Sequence, residues 1–317
     1  MRAFFCLRAS GMHPACAPRA AQFATLWRRA HRPVARRSWK IRLRRLLHIA
    51  DRHRTPATTR LLGWFLAFNA GAINAGGVLV VNMYTSHMTG FASQVADSLV
   101  LGHGELLLNA IGALLAFTCG AACTAIIVNW ARVHRLRSAY ALPLLLEAGL
   151  LLPFGLMGAI TLTWSTPFAV PLTVLLLSFI MGLQNALGTK ASAGRVRSTH
   201  MTGNVTDLGI ELGKLLYHNR SGTPPEAQVR ANRARMRLHG GLLLAFVGGG
   251  LFGAAGFKYV GFLWVVPLAG LLLALALPPF LHDLRRHTHL RTLMLALRGR
   301  LQRLGRRPPS PPTQPPH

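Results

Sequence analysis

The sequence predicts an all-α integral membrane protein in which six transmembrane helices form two inverted three-helix repeats, with both termini in the cytoplasm. Three observations support this fold class: six apolar runs of spanning length, basic residues confined to alternate loops, and a motif that occurs twice. The composition agrees, because 51% of the 317 residues are hydrophobic and only 14% are charged. Ordinary soluble domains have about a quarter of their residues charged.

Six runs are long enough to cross the roughly 30 Å of bilayer hydrocarbon, which takes about 20 apolar residues in a helix. They lie at about 61–83, 106–129, 139–161, 167–188, 239–257 and 259–281. None has Lys or Arg in its interior. Helices are the economical interpretation, because lipid offers no hydrogen-bond partner to an open backbone. One such run could be a buried helix of a soluble protein, but six in succession argue against that class.

The basic residues predict the orientation. Of the 36 Lys and Arg, 35 lie at the two ends of the chain and in the loops 130–138 and 189–238, whereas Lys258 stands between the last two runs. The positive-inside rule places the basic segments in the cytoplasm. A formal net charge of +28 would suggest nucleic acid in a soluble protein. Here anionic lipid headgroups account for the basic flanks, so no nucleic-acid partner is predicted.

The chain divides into four regions. They are a basic, partly disordered cytoplasmic extension (1–59), a first three-helix repeat (60–161), a second three-helix repeat (162–282) and a basic, Pro-rich cytoplasmic tail (283–317). A polar insertion near 218–238 lies in the second repeat. In the extension, apolar residues from Trp39 to Ala50 recur at helical spacing among arginines, which favours an amphipathic helix on the membrane surface. A transit peptide and an over-long start assignment are the alternatives.

The internal repeat is the most informative feature of the sequence. His-Met-Thr-Gly occurs at 87–90 and again at 200–203. The other ordered matches are Gly-x-x-Asn-Ala at 71–75 and 182–186, and Leu-Leu-Ala-Phe at 114–117 and 243–246. A repeat of three spans inverts the second copy relative to the first, as in many secondary transporters.

Each His-Met-Thr-Gly motif precedes a predicted helix start. Thr89 and Thr202 are expected to be the N-caps. A helix that begins inside the bilayer presents free N–H groups to an anion or a polar solute. The functional interpretation is a pair of half-sites that includes His87, His200 and Asn204. The alternative is a pair of tight turns that seat two short helices against the bundle.

Polar residues inside the apolar runs are further site candidates. Glu147 is the only acid in such a run, about ten residues and therefore about 15 Å deep in the third one. An acid at this depth is a functional hypothesis. It could couple transport to protons, or it could be a neutral group bonded to a neighbouring helix. Four amides, Asn69, Asn74, Gln184 and Asn185, could line a cavity or hold helices together.

Metal binding and enzymatic activity are not predicted. His87 and His200 have neighbouring methionines that would suit copper, but adjacent residues rarely point at one ion. The sequence therefore predicts no metal site and no cofactor. The Walker, His-Glu-x-x-His and Gly-x-Ser-x-Gly motifs do not occur, and no residue is assigned a catalytic role. An intramembrane enzyme that uses Glu147 with one of the histidines is kept as an alternative.

Four segments carry a resemblance to a known family: residues 74–77, 88–90, 181–186 and 199–204. They resemble the YoaK-like family of uncharacterised bacterial membrane proteins, over about 60–282. The resemblance implies a multi-pass protein of the bacterial inner membrane without an established activity. The family tends to carry an acid where Asn74 stands and Asn where Phe91 stands. These two departures move the predicted site toward the second motif and Glu147.

The sequence thus predicts a small-solute transporter or permease, with a polar or anionic solute and with proton coupling as a further hypothesis. A membrane scaffold or regulatory protein without transport is the first alternative, and an intramembrane enzyme is the second. The predicted partners are the lipid bilayer, anionic headgroups and an unknown small polar solute. A homo-oligomer is left open.

Overall fold

The computed structural model describes residues 49–52, 54–163, 169–219 and 224–304, except for the side chains of 161–163, 169 and 287–304. The amphipathic helix expected in the N-terminal extension falls, apart from its last two residues, outside this part of the chain. The Pro-rich end of the tail lies outside it as well. The described residues form helices and contain no β-strand.

Eight α-helices make up the described part of the chain. They are α1 (Pro56–Val81), α2 (Met88–Leu101), α3 (Gly104–Val133), α4 (Ala141–Thr163), α5 (Ala169–Ser192), α6 (Met201–Leu216), α7 (Arg233–Tyr259) and α8 (Val265–Leu304). Short 3-10 turns precede α4 and α8. The short helices α2 and α6 follow the two His-Met-Thr-Gly motifs, where helix starts are predicted, and α8 continues into the predicted tail region.

Within the described residues, six helices are long and apolar enough to cross a membrane: α1, α3, α4, α5, α7 and the first part of α8. The predicted number of spans is therefore confirmed. Large apolar side chains, among them Leu115 on α3 and Leu244 on α7, are exposed on the outside of the bundle, as expected of a surface that faces lipid. The chain is a multi-pass membrane protein. With 14 and 16 residues, α2 and α6 are too short to cross.

The packing of the helices places α1 and α5 at the centre. The buried share of the most apolar stretch is 67% in α1 and 61% in α5, but only 22% in α3 and 28% in α7. Helix α1 packs along α7, α3 along α5, and α4 along α8, while α1 also contacts α5. The short helix α2 packs on α3 and α6 packs on α7.

Glycines allow the two closest helix pairs to cross at backbone contact. In each case a Cβ on the glycine would overlap a carbonyl of the opposite helix. The pairs are Gly71 with Phe246 and Gly249 with Phe68 between α1 and α7, and Gly120 with Phe179 and Gly182 with Phe117 between α3 and α5. Small residues at such crossings let backbones approach closely, which gives the van der Waals contact that holds membrane helices together.

Two adjacent glycines of α7 offer a test of this packing. A Cβ at Gly249 would overlap the Phe68 backbone, whereas one at Gly248 would meet open space. We expect Gly249→Ala to lower the free energy of unfolding by about 1–3 kcal/mol, the usual range for overpacking. Gly248→Ala should be neutral or slightly stabilising, because alanine favours helices. Thermal unfolding of both variants in detergent measures the difference, and equal midpoints would contradict the close crossing.

The segments that carry basic residues meet at one end of the bundle. Arg137, before α4, pairs with Asp51 at 2.7 Å and lies 3.3 Å from the His282 ring. Arg54, before α1, donates to the carbonyl of Ala191 near the end of α5 at 3.0 Å. These contacts bring the start of α1, the start of α4, the end of α5 and residue 282 of α8 to the same end.

Candidate functional site

A partly open cavity of about 480 Å³, here called the central cavity, lies between α3, α5 and the starts of α2 and α6. Residues 86–89 and 199–202 both line it, although the two segments are 113 positions apart in the sequence. The cavity is completed by side chains of α3 and α5 and by Arg197. The two His-Met-Thr-Gly motifs thus border one space.

The residues just before each motif reach the interior of the bundle, whereas the histidine and threonine of each motif are exposed. The carbonyl of Thr85 accepts a hydrogen bond from Ser178 at 3.5 Å. Thr199 exchanges hydrogen bonds with Asn185, which donates to the threonine hydroxyl and accepts from its N–H. Ser178 and Asn185 lie inside α5, seven residues or about 10 Å apart along its axis. Non-helical backbone at such a depth is tolerated where it is buried or lines a cavity.

The starts of α2 and α6 have the same backbone conformation. The N-cap residues are His87 (φ −90°, ψ 69°) and His200 (φ −81°, ψ 61°), and neither side chain caps its helix. The prediction that Thr89 and Thr202 are the N-caps is wrong. The chain already turns into the helix at each histidine, so that both threonines lie in the first helical turn. Their hydroxyls are left to line the cavity.

The glycine of each motif makes room for the histidine of the same motif. A Cβ on Gly90 would overlap the ring of His87, and a Cβ on Gly203 would overlap the ring of His200. Each imidazole therefore folds over the first turn of the helix that it precedes. The His-x-x-Gly spacing fixes where the two rings stand.

Gly203→Ala is expected to displace the His200 ring, because the new methyl group occupies the space of the imidazole. Gly209→Ala, on the same helix, is the matched control, since a Cβ there meets nothing within 4 Å. We expect diethyl pyrocarbonate to modify His200 faster in Gly203→Ala than in the wild type or in Gly209→Ala. Peptide mass spectrometry measures these rates. Equal rates in all three proteins would show that the glycine does not position the ring.

Each motif histidine also borders a second cavity. A cavity of about 330 Å³, here called the Tyr84 cavity, is lined by Tyr84, His87 and neighbours from α2. A cavity of about 410 Å³, here called the Asp207 cavity, is lined by Asp207, His200 and neighbours on α6 and α7. His87 thus borders both the central and the Tyr84 cavity, and His200, with Arg197 and Thr202, borders both the central and the Asp207 cavity.

The central cavity carries positive charge. Lys190 and Arg197 line it, and none of the described residues that line it is acidic. Lys190 also donates to the side-chain oxygen of Asn129 at 3.0 Å. Two helices begin at the cavity, and the N-terminus of a helix carries a partial positive charge. These features favour an anion over a cation.

The Asp207 cavity contains a histidine that holds α6 against α7. Nδ1 of His239 lies 3.1 Å from Oδ1 of Asn204, and Nε2 lies 3.6 Å from the Asp207 carboxylate. His239 and Asn204 are both buried, and Asp207 is exposed. The side-chain oxygen of Asn204 is thus engaged by α7 at the edge of this cavity.

A carboxylate fixes the far end of α6. Glu211 is 2% exposed and accepts hydrogen bonds from the backbone N–H of Asn232 at 2.6 Å and from Lys214 at 2.9 Å. The bond from Asn232 is the main cause that lowers the pKa of Glu211. The charged form is therefore favoured at neutral pH, and it ties α6 to the start of α7.

Glu147 lies in the core between α1, α4 and α5. Its Oε1 accepts hydrogen bonds from Nδ2 of Asn69 at 3.2 Å and from Nε2 of Gln184 at 2.8 Å. Ser198 in turn donates to the side-chain oxygen of Gln184 at 3.3 Å. Glu147 Oε2 and Asn69 Oδ1 have no hydrogen-bond partner among the described residues, and both side chains are fully buried.

The structure brings five of the predicted site residues together at the central cavity: His87, Thr89, Asn185, His200 and Thr202. Asn204 lines the Asp207 cavity instead. The remaining three are buried in helix packing and line none of the three cavities described here: Asn74, Glu147 and Gln184. The Glu147 cluster is nevertheless close in sequence to the cavity, because Gln184 precedes Asn185 and Ser198 precedes Thr199.

Three polar residues of these cavities are not predicted from the sequence: Lys190, Arg197 and His239. In the sequence, Lys190 and Arg197 stand out only as basic residues of a predicted cytoplasmic loop. His239 stood at the edge of an apolar run without a recognisable partner. Both basic residues lie within ten residues of the second motif, which could have indicated that they belong to the same site. Sequence proximity does not show, however, that this segment folds back into the bundle.

Comparison with protein families matches residues 62–277 to a family described as "Protein of unknown function (DUF1275)". The match spans all six crossing helices in whole or in part, as well as both His-Met-Thr-Gly motifs. Comparison with curated proteins and with solved structures found no match. Since the matched segment covers more than half of the chain, this multi-pass membrane protein belongs to the DUF1275 family of proteins of unknown function.

Proposed function

We propose that this protein transports a small polar or anionic solute through the central cavity. One observation carries the proposal: the two motifs border the same cavity, and the histidine of each motif also borders a separate flanking cavity. A binding space that meets a neighbouring cavity at a movable side chain on each side suits alternating access. His87 and His200 act as the two gates, and Asn185, Thr89 and Thr202 offer hydrogen bonds to the solute.

Equivalent positions in the two halves of the chain have matching contacts and backbone conformations, which supports a transporter built from inverted repeats. The glycine contacts between α1 and α7 have the same reciprocal pattern as those between α3 and α5. Asn82 after α1 and Ala193 after α5 both adopt left-handed conformations, with φ of 51° and 53°. In secondary transporters with inverted repeats, broken helices meet at a site near the midplane and direct their N-termini at anionic groups.

The proposed setting is the inner membrane of a bacterium, with both chain ends in the cytoplasm. Its support is the positive-inside distribution of the sequence and the meeting of the basic segments at one end of the bundle. In this orientation the Tyr84 cavity opens toward the outside and the Asp207 cavity toward the cytoplasm.

An anion is the favoured substrate class. Lys190 and Arg197 supply two positive charges, and the starts of α2 and α6 add the partial charges of two helix N-termini. The N–H groups of Met88 and Met201 donate to the carbonyls of Ser86 and Thr199. Because no side chain caps either helix start, the N–H groups of the following threonine and glycine are available to a solute. A small inorganic or carboxylate anion fits this set of donors.

Proton coupling through Glu147 is part of the proposal. Two acceptors in the core, Glu147 Oε2 and Asn69 Oδ1, have no donor among the described residues. A proton on Glu147 would supply one. Gaining or losing this proton changes the hydrogen bonds of Gln184, which continues through Ser198 to the segment that carries His200.

Reconstitution into lipid vesicles tests the function. We expect saturable uptake of one or more small anions from a panel that also contains neutral and cationic solutes, with no uptake into protein-free vesicles. Metabolite profiling of cells that lack or overproduce the protein would select the panel. Product formation in detergent without a gradient would instead support an enzyme. Absence of any flux by folded protein would support a scaffold or regulator.

A further inference from the structure

We infer that a fourth pocket, separate from the central cavity and sharing Arg195 with the Asp207 cavity, binds the phosphate group of an anionic ligand. This arginine pocket, named for Arg60, Arg195 and Arg235, has a volume of about 350 Å³. Its three arginines come from α1, from the segment after α5 and from α7. It lies at the end of the bundle where α1 and α7 begin and α5 ends, which is the end that gathers the basic segments.

The charge of the arginine pocket is uncompensated by its own lining, in which none of the described residues is acidic. The carboxylate that interacts electrostatically with Arg235 is Glu211. Its two oxygens are already bonded to the Asn232 N–H and to Lys214. Arg195 is oriented by a hydrogen bond of 3.1 Å from its Nε to the carbonyl of Ser192. Planar guanidinium groups of this kind bind phosphate oxygens in pairs.

The remaining walls of the arginine pocket are of mixed polarity. Thr59 and Asn232 offer polar groups beside the arginines, whereas Val196 and Leu238 provide apolar surface. A ligand with a phosphate attached to a less polar portion matches both parts of the wall. Basic pockets between transmembrane helices on the cytoplasmic side are known to hold lipid headgroups in this way. A free phosphate ion would use the arginines alone.

Occupation of the arginine pocket would stabilise the segment that carries the proposed inner gate. Val196 is 2% exposed and fills the space beside Gly63 and Leu242, between α1 and α7. The next residue, Arg197, lines the central cavity, and His200 follows three positions later. A ligand that links Arg195 to α1 and α7 would favour this arrangement by mass action.

Ligand titration followed by thermal unfolding of the full-length protein in detergent tests the site. The ligands are phosphatidylglycerol, phosphatidylcholine and inorganic phosphate. We expect phosphatidylglycerol to raise the unfolding midpoint and phosphatidylcholine to leave it unchanged. Arg60→Gln and Arg235→Gln should each weaken the apparent affinity about fivefold, the effect of one basic residue on an anionic headgroup. Arg132→Gln, which removes an exposed charge of α3 outside the pocket, should not.

The outcomes separate the two sources of phosphate. Protection by inorganic phosphate that the lipid does not exceed would support the site with a soluble ligand and reject the lipid. Equal protection of all variants by phosphatidylglycerol would overturn the inference. So would a wild-type protein that neither phosphatidylglycerol nor inorganic phosphate protects. The wild-type comparison stands even where a variant fails to fold. Because this assay measures binding without flux, its failure is distinct from a failure of the transport proposal.

Discussion

Replacing Lys190 and Arg197 together by glutamine is expected to weaken anion uptake about a hundredfold. Both side chains line the central cavity, which has no acidic residue in its described lining. A hydrogen bond to a charged group contributes about 1.5–3 kcal/mol, which corresponds to about tenfold or more in affinity for each residue. The effect should appear as a higher KM in vesicle uptake, because the charges act on solute binding.

Two control substitutions test whether the weaker uptake comes from the lost charges in the cavity. Lys190→Arg keeps the charge and should retain most of the uptake. Arg132→Gln removes a positive charge from α3 away from the cavity, and it should leave KM unchanged. A double variant that folds, by thermal unfolding, but takes up the anion with a normal KM would contradict an anion site between the two motifs.

The fold was largely predictable because the bilayer imposes simple rules on length and polarity. Each crossing helix shows as a long apolar run in the sequence. The orientation that the basic residues indicate stays a prediction. Helix α2 was not predictable in this way. Its stretch of 14 residues mixes polar and apolar side chains and is too short to cross, and its helix is stabilised by packing on α3.

The candidate site was predictable as a set of residues but not as a geometry. Comparing the two halves of the sequence is enough to find the repeated motif, and the motif identifies His87, Thr89, His200 and Thr202 as candidates. Their meeting in one cavity depends on two segments that fold back into the bundle, and sequence spacing does not encode this. For the same reason Lys190 appeared to belong to a cytoplasmic loop.

The N-cap error has a related cause. Threonine is a preferred N-cap in general, but the position of the cap is set by where the backbone turns into the helix. Here the turn comes two residues earlier, at His87 and His200. The glycine that follows each threonine is needed because a Cβ there would overlap the histidine ring, and not because the backbone turns at this residue.

Glu147→Gln is expected to separate transport from the proton gradient without loss of the fold. The amide oxygen of glutamine can still accept from Asn69 and Gln184, as the carboxylate oxygen does now. Glutamine cannot gain or lose a proton. Solute exchange between vesicle compartments at equal pH should therefore stay near the wild-type rate, whereas an imposed pH gradient should no longer drive accumulation. Uptake measured with and without the gradient gives both quantities.

Glu147→Leu is the contrasting change, because it removes the acceptor and leaves two buried donors unpaired. Each unpaired donor costs about 1–3 kcal/mol, so this variant should unfold at a lower temperature than Glu147→Gln. If Glu147→Gln accumulates solute in response to the gradient as the wild type does, the proton is carried elsewhere and Glu147 only holds α1, α4 and α5 together. If Glu147→Gln is folded but exchanges no solute, the network through Gln184 and Ser198 is needed for movement of the gate itself. Only retained exchange with lost accumulation supports a proton that is bound by Glu147 and transmitted to His200.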